Sequence, residues 1–498
     1  MATKAQPAAL RVDPAARFDL SPYLYMQFME PLGSTDGSVE AGWDFLRNGW
    51  REDLLAATRS LAPPLIRWPG GCLSSYYRWR EGVGPRTRRR PMLNLCWGGT
   101  ETNQIGTHEF VDFCRQVGAE PLIAVNFESD GRANWARLPD GRLRAAGPAE
   151  AAAWVAYCNA PTHARRGAHG AAGPFGVRLW QIGNETSYDR RGFDCRTAAR
   201  RTVAFAKAMR RADPSIQLIG WGDSGWAAEM LDVAGEHLQY LAFHHHFGSS
   251  LPDSPLRGGP WRRDPAETWK HLMSAVASTE ARIAEMRRAT AGSGVPLALT
   301  ESHFALPGRN RCEVLSTWAA GVADARILNA HARNGDVLKI ATLADFCGTR
   351  WQVNAVMIPT PRGAGNAYLM PVAGVMRLFR RHTGTQAVGV AAAPASLDVA
   401  ASRTRGRIYL HVVNTSRTRP ATVRLAVDGR SIRSGEVFQI AADPLLEITA
   451  ETADALVPSR RRLPADRLWR FPPASVSAVE LSLGRAGPPR RAPRGTSA

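Results

Sequence analysis

The sequence predicts an α/β fold, a (β/α)8 TIM barrel followed by an all-β sandwich, and three observations carry that expectation. Eight short apolar runs alternate with segments of helical spacing across residues 19–384, the pattern of a parallel barrel. After the helical segment around Met376–His382 the chain shows only short strand-like runs, broken by Gly, Pro, Asp and Arg-rich turns, as in a sandwich. Polar residues gather where the eight runs end, the face on which a barrel carries its chemistry. A length of 498 residues accommodates both domains.

In chain order the expected barrel strands are Leu24–Phe28, Leu65–Pro69, Pro121–Phe127, Val177–Ile182, Gln217–Gly222, Tyr240–Phe247, Pro296–Thr300 and Leu338–Phe346. They are nearly continuous apolar runs, as strands buried on both faces require. Helical spacing predicts helices over Gly106–Val117, Arg196–Ala212, Pro265–Thr290 and Cys312–Asn334, the last two long enough to cross over a parallel sheet. The second domain, residues 385–483, should hold strands Ala387–Ala391, Ser396–Ser402, Arg407–Asn414, Thr422–Val427, Glu436–Ile440 and Ser475–Leu481. Residues 1–18, with strand-like Ala9–Val12 and Arg17–Asp19, are expected to return and complete this sandwich. Residues 484–498, rich in Pro, Gly and Arg, are expected to form a disordered basic tail.

A chain that is 44% hydrophobic and 21% charged is not disordered by default. Its net charge of +19 raises nucleic acid or an anionic membrane as a partner. The cations are nearly all arginines, however, with only Lys4, Lys207, Lys270 and Lys339 as lysines. They cluster only at Arg86–Arg90, Arg460–Arg462 and in the tail, without a helical stripe or interleaved aromatics. No nucleic-acid role is expected. The N-terminus lacks the apolar core and cleavage site of a signal peptide, and no stretch reaches the ~18 apolar residues of a membrane span, so a cytoplasmic protein with no membrane partner is expected. Seven widely spaced cysteines without a CxxC pair fit free thiols in a reducing compartment better than structural zinc, and no cofactor is expected.

Taking each strand end in turn gives Glu30, Arg67, Asn126 with Glu128, Asn184 with Glu185, Asp223, His244 to His246, Glu301 and Asp345. Two stand out: Trp180-Gln181-Ile182-Gly183-Asn184-Glu185 and Leu297-Ala298-Leu299-Thr300-Glu301 each carry an apolar strand into a glutamate. Carboxylates on opposite sides of one barrel mouth suit glycoside hydrolysis, in which one protonates the leaving oxygen and the other attacks the anomeric carbon. His244 and His246 share one face of their strand, His245 the other, and no nearby His or Cys completes a tetrahedral set, so no metal site is expected. Gly222-Asp223-Ser224-Gly225 lacks the serine-hydrolase elbow, because Trp226 stands where a second glycine is needed. Glu128 and Asp345 are rival carboxylates with substrate-contacting or structural roles. Cys72 has no base beside it in sequence to make it a nucleophile.

The motifs together resemble the retaining α-L-arabinofuranosidases of glycoside hydrolase family 51, which belong to a (β/α)8 clan. The resemblance runs through Met26-Gln27-Phe28-Met29-Glu30-Pro31-Leu32-Gly33, Arg67-Trp68-Pro69-Gly70-Gly71, Leu95-Cys96-Trp97, Glu101-Thr102-Asn103, Gly106-Thr107-His108-Glu109-Phe110, Ala124-Val125-Asn126 and Trp180 to Glu185. It implies that Glu185 is the acid/base and Glu301 the nucleophile. Glu30 and Asn184 would bind sugar hydroxyls, with Asn126, Cys72 and His246 in the substrate shell. Arg67 would keep the nucleophile ionised while less polar surroundings hold a proton on Glu185. His244 would orient Glu185 or touch substrate, and Trp97 would stack at the rim. The implied substrate is an arabinose-containing oligosaccharide or glycoside, and the implied assembly a homo-oligomer.

The chain departs from the family pattern in four places. Cys72 stands where Asn is usual after Pro-Gly-Gly, Thr300-Glu301-Ser302-His303 replaces Asp-Glu-Trp-Asn, His246 replaces a Tyr, and Trp351 stands where a substrate-contacting Gln is common. These changes keep open a retaining glycosidase for another sugar, of xylosidase, glucanase or glucuronidase type, or a glycan-binding relative without turnover.

Overall fold

The computed structural model describes residues 8–127, 136–188, 194–257, 261–306 and 312–486. Eight parallel strands form a ring: β1 Gln27–Phe28, β2 Leu65–Trp68, β3 Glu120–Val125, β4 Leu179–Ile182, β5 Gln217–Trp221, β6 Tyr240–Phe247, β7 Leu297–Phe304 and β8 Leu338–Ala341, which resumes at Asp345–Gly348. The first part of β8 pairs with β7 and the second with β1 through Asp345 and Phe28, closing the barrel. Helices α1 Glu52–Leu61, α2 Thr107–Val117, α3 Pro148–Asn159, α4 Cys195–Ala212, α5 Ala227–Ala234, α6 Pro265–Ala289, α7 Trp318–Arg333 and α8 Pro371–Arg381 each follow the strand of the same number.

The strands' period of two explains where the apolar and polar atoms go. Met26, Leu65, Leu122, Leu179, Ile219, Trp221, Ala242, Ala298 and Ile340 form one cluster inside the ring and plug its lower end. Their neighbours, such as Ile66, Ile123, Trp180, Leu218, Leu241 and Leu297, face outward and pack under the helices. Two residues further along β2 and β6 the inward positions become Arg67 and His244. On β7 the register shifts: Ala242 faces Ala298, but His244 faces Glu301. The extra residue, Thr300, is a bulge, and it turns both Thr300 and Glu301 toward the barrel mouth.

Several expected boundaries move. Residues 22–25 form a 3-10 turn rather than the start of β1, because Pro22 has no N–H to give a ladder and Ser21 Oγ accepts the Tyr23 N–H at 3.1 Å. The segment expected to be helical from Cys312 begins with a separate 3-10 turn, Glu313–Ser316, and α7 starts only at Trp318.

The N-terminal strand, Ala8–Asp19, runs antiparallel to Gln386–Ala392 and parallel to Ala421–Val427, so it completes the second domain's sheet from the far end of the sequence. That sheet has nine strands and folds back on itself through the pairing of Val427 with Arg430. Leu10, Val12, Leu410, Val412, Val423 and Val479 lie in its core. Ser459–Arg462 and Leu468–Phe471 are strands that the sequence pattern did not mark. The last strand reaches Ala486, three residues into the expected tail, and residues 487–498 lie outside the described residues. The domains meet along α7, where Arg326, Asn329 and Arg333 converge on Asp398 and Trp318 Nε1 donates to Ala474 O at 2.7 Å.

Candidate active site

At the C-terminal ends of the strands a cavity of about 310 Å³ opens between two glutamates. Glu185 reaches it from a tight turn after β4. Gly183 has φ +76° there, and a methyl group at this position would come within 3.0 Å of Phe127; Glu185 itself has φ +49°. Glu185 Oε1 lies 3.0 Å from His244 Nδ1, and Cys72 Sγ lies 3.8 Å from Oε2. The other His244 nitrogen faces Thr300 Oγ1 at 3.0 Å. Burial pushes the His244 imidazole down to about 4 and the Cys72 thiol well up, so these two groups beside Glu185 are uncharged at neutral pH. Asp223 accepts the His244 backbone N–H at 3.0 Å and pairs with Arg282, which makes it a support for β6.

Glu301 has a different environment. The fully buried Arg67 donates from Nη1 to Glu301 Oε1 at 2.8 Å and from Nη2 to Asn184 Oδ1 at 2.6 Å. His246 Nε2 lies 3.8 Å from Glu301 Oε2 and its ring packs on His303, centroids 4.5 Å apart. Glu30 stands beside this group and accepts hydrogen bonds from Leu73 N at 2.8 Å and Trp97 Nε1 at 3.1 Å. Burial and the charge of Glu301 hold the Glu30 carboxyl well above the usual carboxylate range. The glycine pair makes this packing possible. A Cβ on Gly71 would lie 2.7 Å from Glu301 Oε1 and 2.8 Å from Glu30 Oε2.

Of the residues named from sequence, Glu30, Cys72, Trp97, Glu185, His246, Glu301 and Trp351 line the cavity, as does the rival carboxylate Asp345. Behind them Arg67 holds Glu301, His244 holds Glu185, and Asn184 accepts from Arg67. Asn184 Nδ2 is buried and makes no hydrogen bond. Asn126 is not brought to the cavity: its Nδ2 donates to Tyr77 O and Arg144 O and its Oδ1 accepts from Ala146 N, so its amide is consumed by loop backbone. Glu128 lies outside the described residues. Trp97 meets Trp351 edge-on, centroids 5.3 Å apart, and the loop carrying Trp351 hangs on Asp36, which accepts the backbone N–H groups of Thr349, Arg350 and Trp351.

Phe28, Tyr188, His303 and Ala305 also line the cavity. His303 could have been found, since two residues beyond Glu301 on one strand share its face. Tyr188 lies in an irregular turn, where no periodicity marks it. One oxygen of Glu185, one of Glu301 and a nitrogen of His244 all lie within 4.8 Å of one another. Among the described residues this is the one trio of potential metal ligands so tightly gathered, and its atoms are engaged with one another and with Arg67.

Comparison with known proteins gives a consistent picture. A model described as the α-L-arabinofuranosidase 1 domain matches residues 57–250, and one described as the α-L-arabinofuranosidase C-terminal domain matches residues 302–475. The chain is 34% identical over 247 residues to an intracellular exo-α-(1→5)-L-arabinofuranosidase of Halalkalibacterium halodurans, covering 46% of each. It is 33% identical over 277 residues to an intracellular exo-α-(1→5)-L-arabinofuranosidase 1 of Bacillus subtilis, covering 51% of this chain and 50% of that one. The matches thus span about half the length of these curated relatives. The thermostable family 51 α-L-arabinofuranosidase of Thermotoga petrophila superposes with a TM-score of 0.77 at 24% identity, over 95% of this chain and 99% of that one, a likeness of fold.

Proposed function

Since the chain belongs to the family 51 α-L-arabinofuranosidase-like proteins, we propose that it is a retaining glycoside hydrolase that releases terminal α-L-arabinofuranosyl units by double displacement. The observation that carries this reading is the approach of one Glu185 oxygen and one Glu301 oxygen to within 4.8 Å. A retaining pair is about 5–5.5 Å apart, whereas inversion needs ~6.5–9.5 Å to hold a water between the carboxyl groups.

In the first step Glu185 gives its proton to the glycosidic oxygen while Glu301 attacks the anomeric carbon, breaking the bond to the aglycone. Arg67 holds Oε1, which leaves Oε2 to attack. In the second step Glu185, now a carboxylate, takes a proton from water as that water displaces Glu301. Asn184 Nδ2, which is buried and makes no hydrogen bond, would donate to the sugar 2-hydroxyl, a contact that strengthens as positive charge develops on the ring. Trp97 and Trp351 offer apolar faces at the rim for the aglycone.

The arabinose-containing substrate, an intracellular site of action and a homo-oligomeric assembly are parts of the same reading, supported by the relatives' names and the resemblance of the motifs. Hydrolysis of p-nitrophenyl α-L-arabinofuranoside beside the corresponding xyloside, glucoside and glucuronide tests the sugar. Proton NMR of the first-formed sugar tests the stereochemistry. Initial release of the inverted anomer, or of no sugar from any glycoside, would overturn the proposal.

A further inference from the structure

The wall of the cavity on the nucleophile side holds a pair of side chains that the hydrolytic steps leave unused. Asp345, on the resumed part of β8, is only 5% exposed and lines the cavity, yet its Oδ1 makes no hydrogen bond. Facing it at 3.6 Å is His303 Nε2, also in the cavity wall. That gap is too long for a hydrogen bond between them and short enough for one hydroxyl to touch both. The protonation pattern of the pair suits such a guest. His303 Nδ1 lies 2.8 Å from Phe304 O, and a carbonyl only accepts, so Nδ1 carries the ring hydrogen and Nε2 presents a lone pair. Burial and the charges of Glu301 and Asp36 raise the Asp345 carboxyl well above its usual range, so it can hold a proton to donate. A sugar hydroxyl placed between them accepts from Asp345 and donates to His303.

Position strengthens the argument. His303 is in register with His246 across β6 and β7, two residues past the pair formed by His244 and Glu301, so the hydroxyl would belong to the same sugar ring that meets Glu301. Glu30, Glu301 and Asp345 stand on this side of the cavity, and the terminal nitrogens of Arg67 are engaged with Glu301 and Asn184. Among the described lining residues there is no arginine or lysine to pair with a uronate carboxylate, so the wall suits an uncharged sugar.

Resting on the hydrolase reading above, we propose that Asp345 and His303 clamp one hydroxyl of the uncharged sugar bound against Glu301, and are specificity-determining residues of the enzyme. The test combines monodeoxy substrates with two variants on different strands, Asp345→Leu and His303→Leu, either of which suffices; thermal unfolding identifies the ones that fold. The substrate is the aryl glycoside that the wild-type protein cleaves fastest, and its monodeoxy analogues. For the wild-type protein, removing one particular hydroxyl should lower kcat/KM roughly 10–100-fold. Each variant should lose a similar factor on the parent substrate and under about twofold more on that deoxy analogue. Asp345→Asn, which keeps a donor facing His303, should retain at least about a tenth of wild-type kcat/KM. Losses that simply multiply at every position, with wild-type turnover intact, overturn the clamp alone. Absence of wild-type turnover on every glycoside overturns the hydrolase reading and the clamp with it.

Discussion

The two glutamates share a cavity and a histidine, yet their surroundings differ in charge. Glu301 faces the guanidinium of Arg67 at 2.8 Å, while the contacts of Glu185 within the described residues include an imidazole and a thiol that are both uncharged at neutral pH. A barrel of parallel strands can therefore prepare identical side chains for opposite tasks by changing what stands one strand away. In the proposed mechanism the residue paired with the guanidinium attacks, and the one beside uncharged partners carries a proton and gives it up.

The largest expected effect breaks the charged side. Glu301→Gln should lower turnover by about 10⁴-fold or more on every substrate, because it removes the carboxylate that the proposed first step uses to attack; steady-state rates within tenfold of wild type would remove it as nucleophile. Glu185→Ala tests the uncharged side. It should cost about 10²–10⁴-fold on substrates with poor leaving groups and far less on nitrophenyl glycosides, with azide restoring rate. Equal losses on both classes would contradict the assignment. Gly71→Ala tests the spacing between Glu30 and Glu301, since its methyl would press on both carboxyl groups. A displacement of the order of 1 Å should lower kcat/KM by about 10²-fold.

The smallest effect concerns stability. Burial holds His244 and His303 at about 4 in the folded protein against about 6.5 for an ordinary imidazole, so between these limits the unfolded chain binds more protons. Their contribution to stability is present above 6.5 and is lost as pH falls toward 4. Calorimetry should show a lower Tm at pH 4.5 than at pH 7, and a smaller difference when His303 is replaced by Leu. An unchanged difference would mean that His303 does not enter the folded state uncharged.

The fold was legible because the strands are apolar runs bounded by polar ends, and the helices keep their spacing. β1 was overextended because Leu24 and Tyr25 read as strand, while Ser21 and Pro22 bend the backbone locally. The strand Ser459–Arg462 was invisible because all four residues are exposed, leaving no apolar alternation to read. In the site, residues at simple strand ends, such as Arg67 and Glu185, could be named in advance. The pairing of Thr300 with His244 could not, because it depends on a one-residue bulge whose place is set by the neighbouring strand. Asn126 misled for the converse reason: it occupies a strand end, but a loop backbone claims its amide.

The N-terminal strand has a consequence for how the molecule is made. Val12 pairs with Val390, so during synthesis this strand must wait for a partner 378 residues downstream. At ordinary translation speeds that is roughly 20–75 s. Over that interval most of the barrel's strands and helices emerge, while Leu10 and Val12, buried in the finished sheet, have nowhere to be buried. The second domain thus acts as a late clasp, closing only after its first strand has been carried across the making of the barrel.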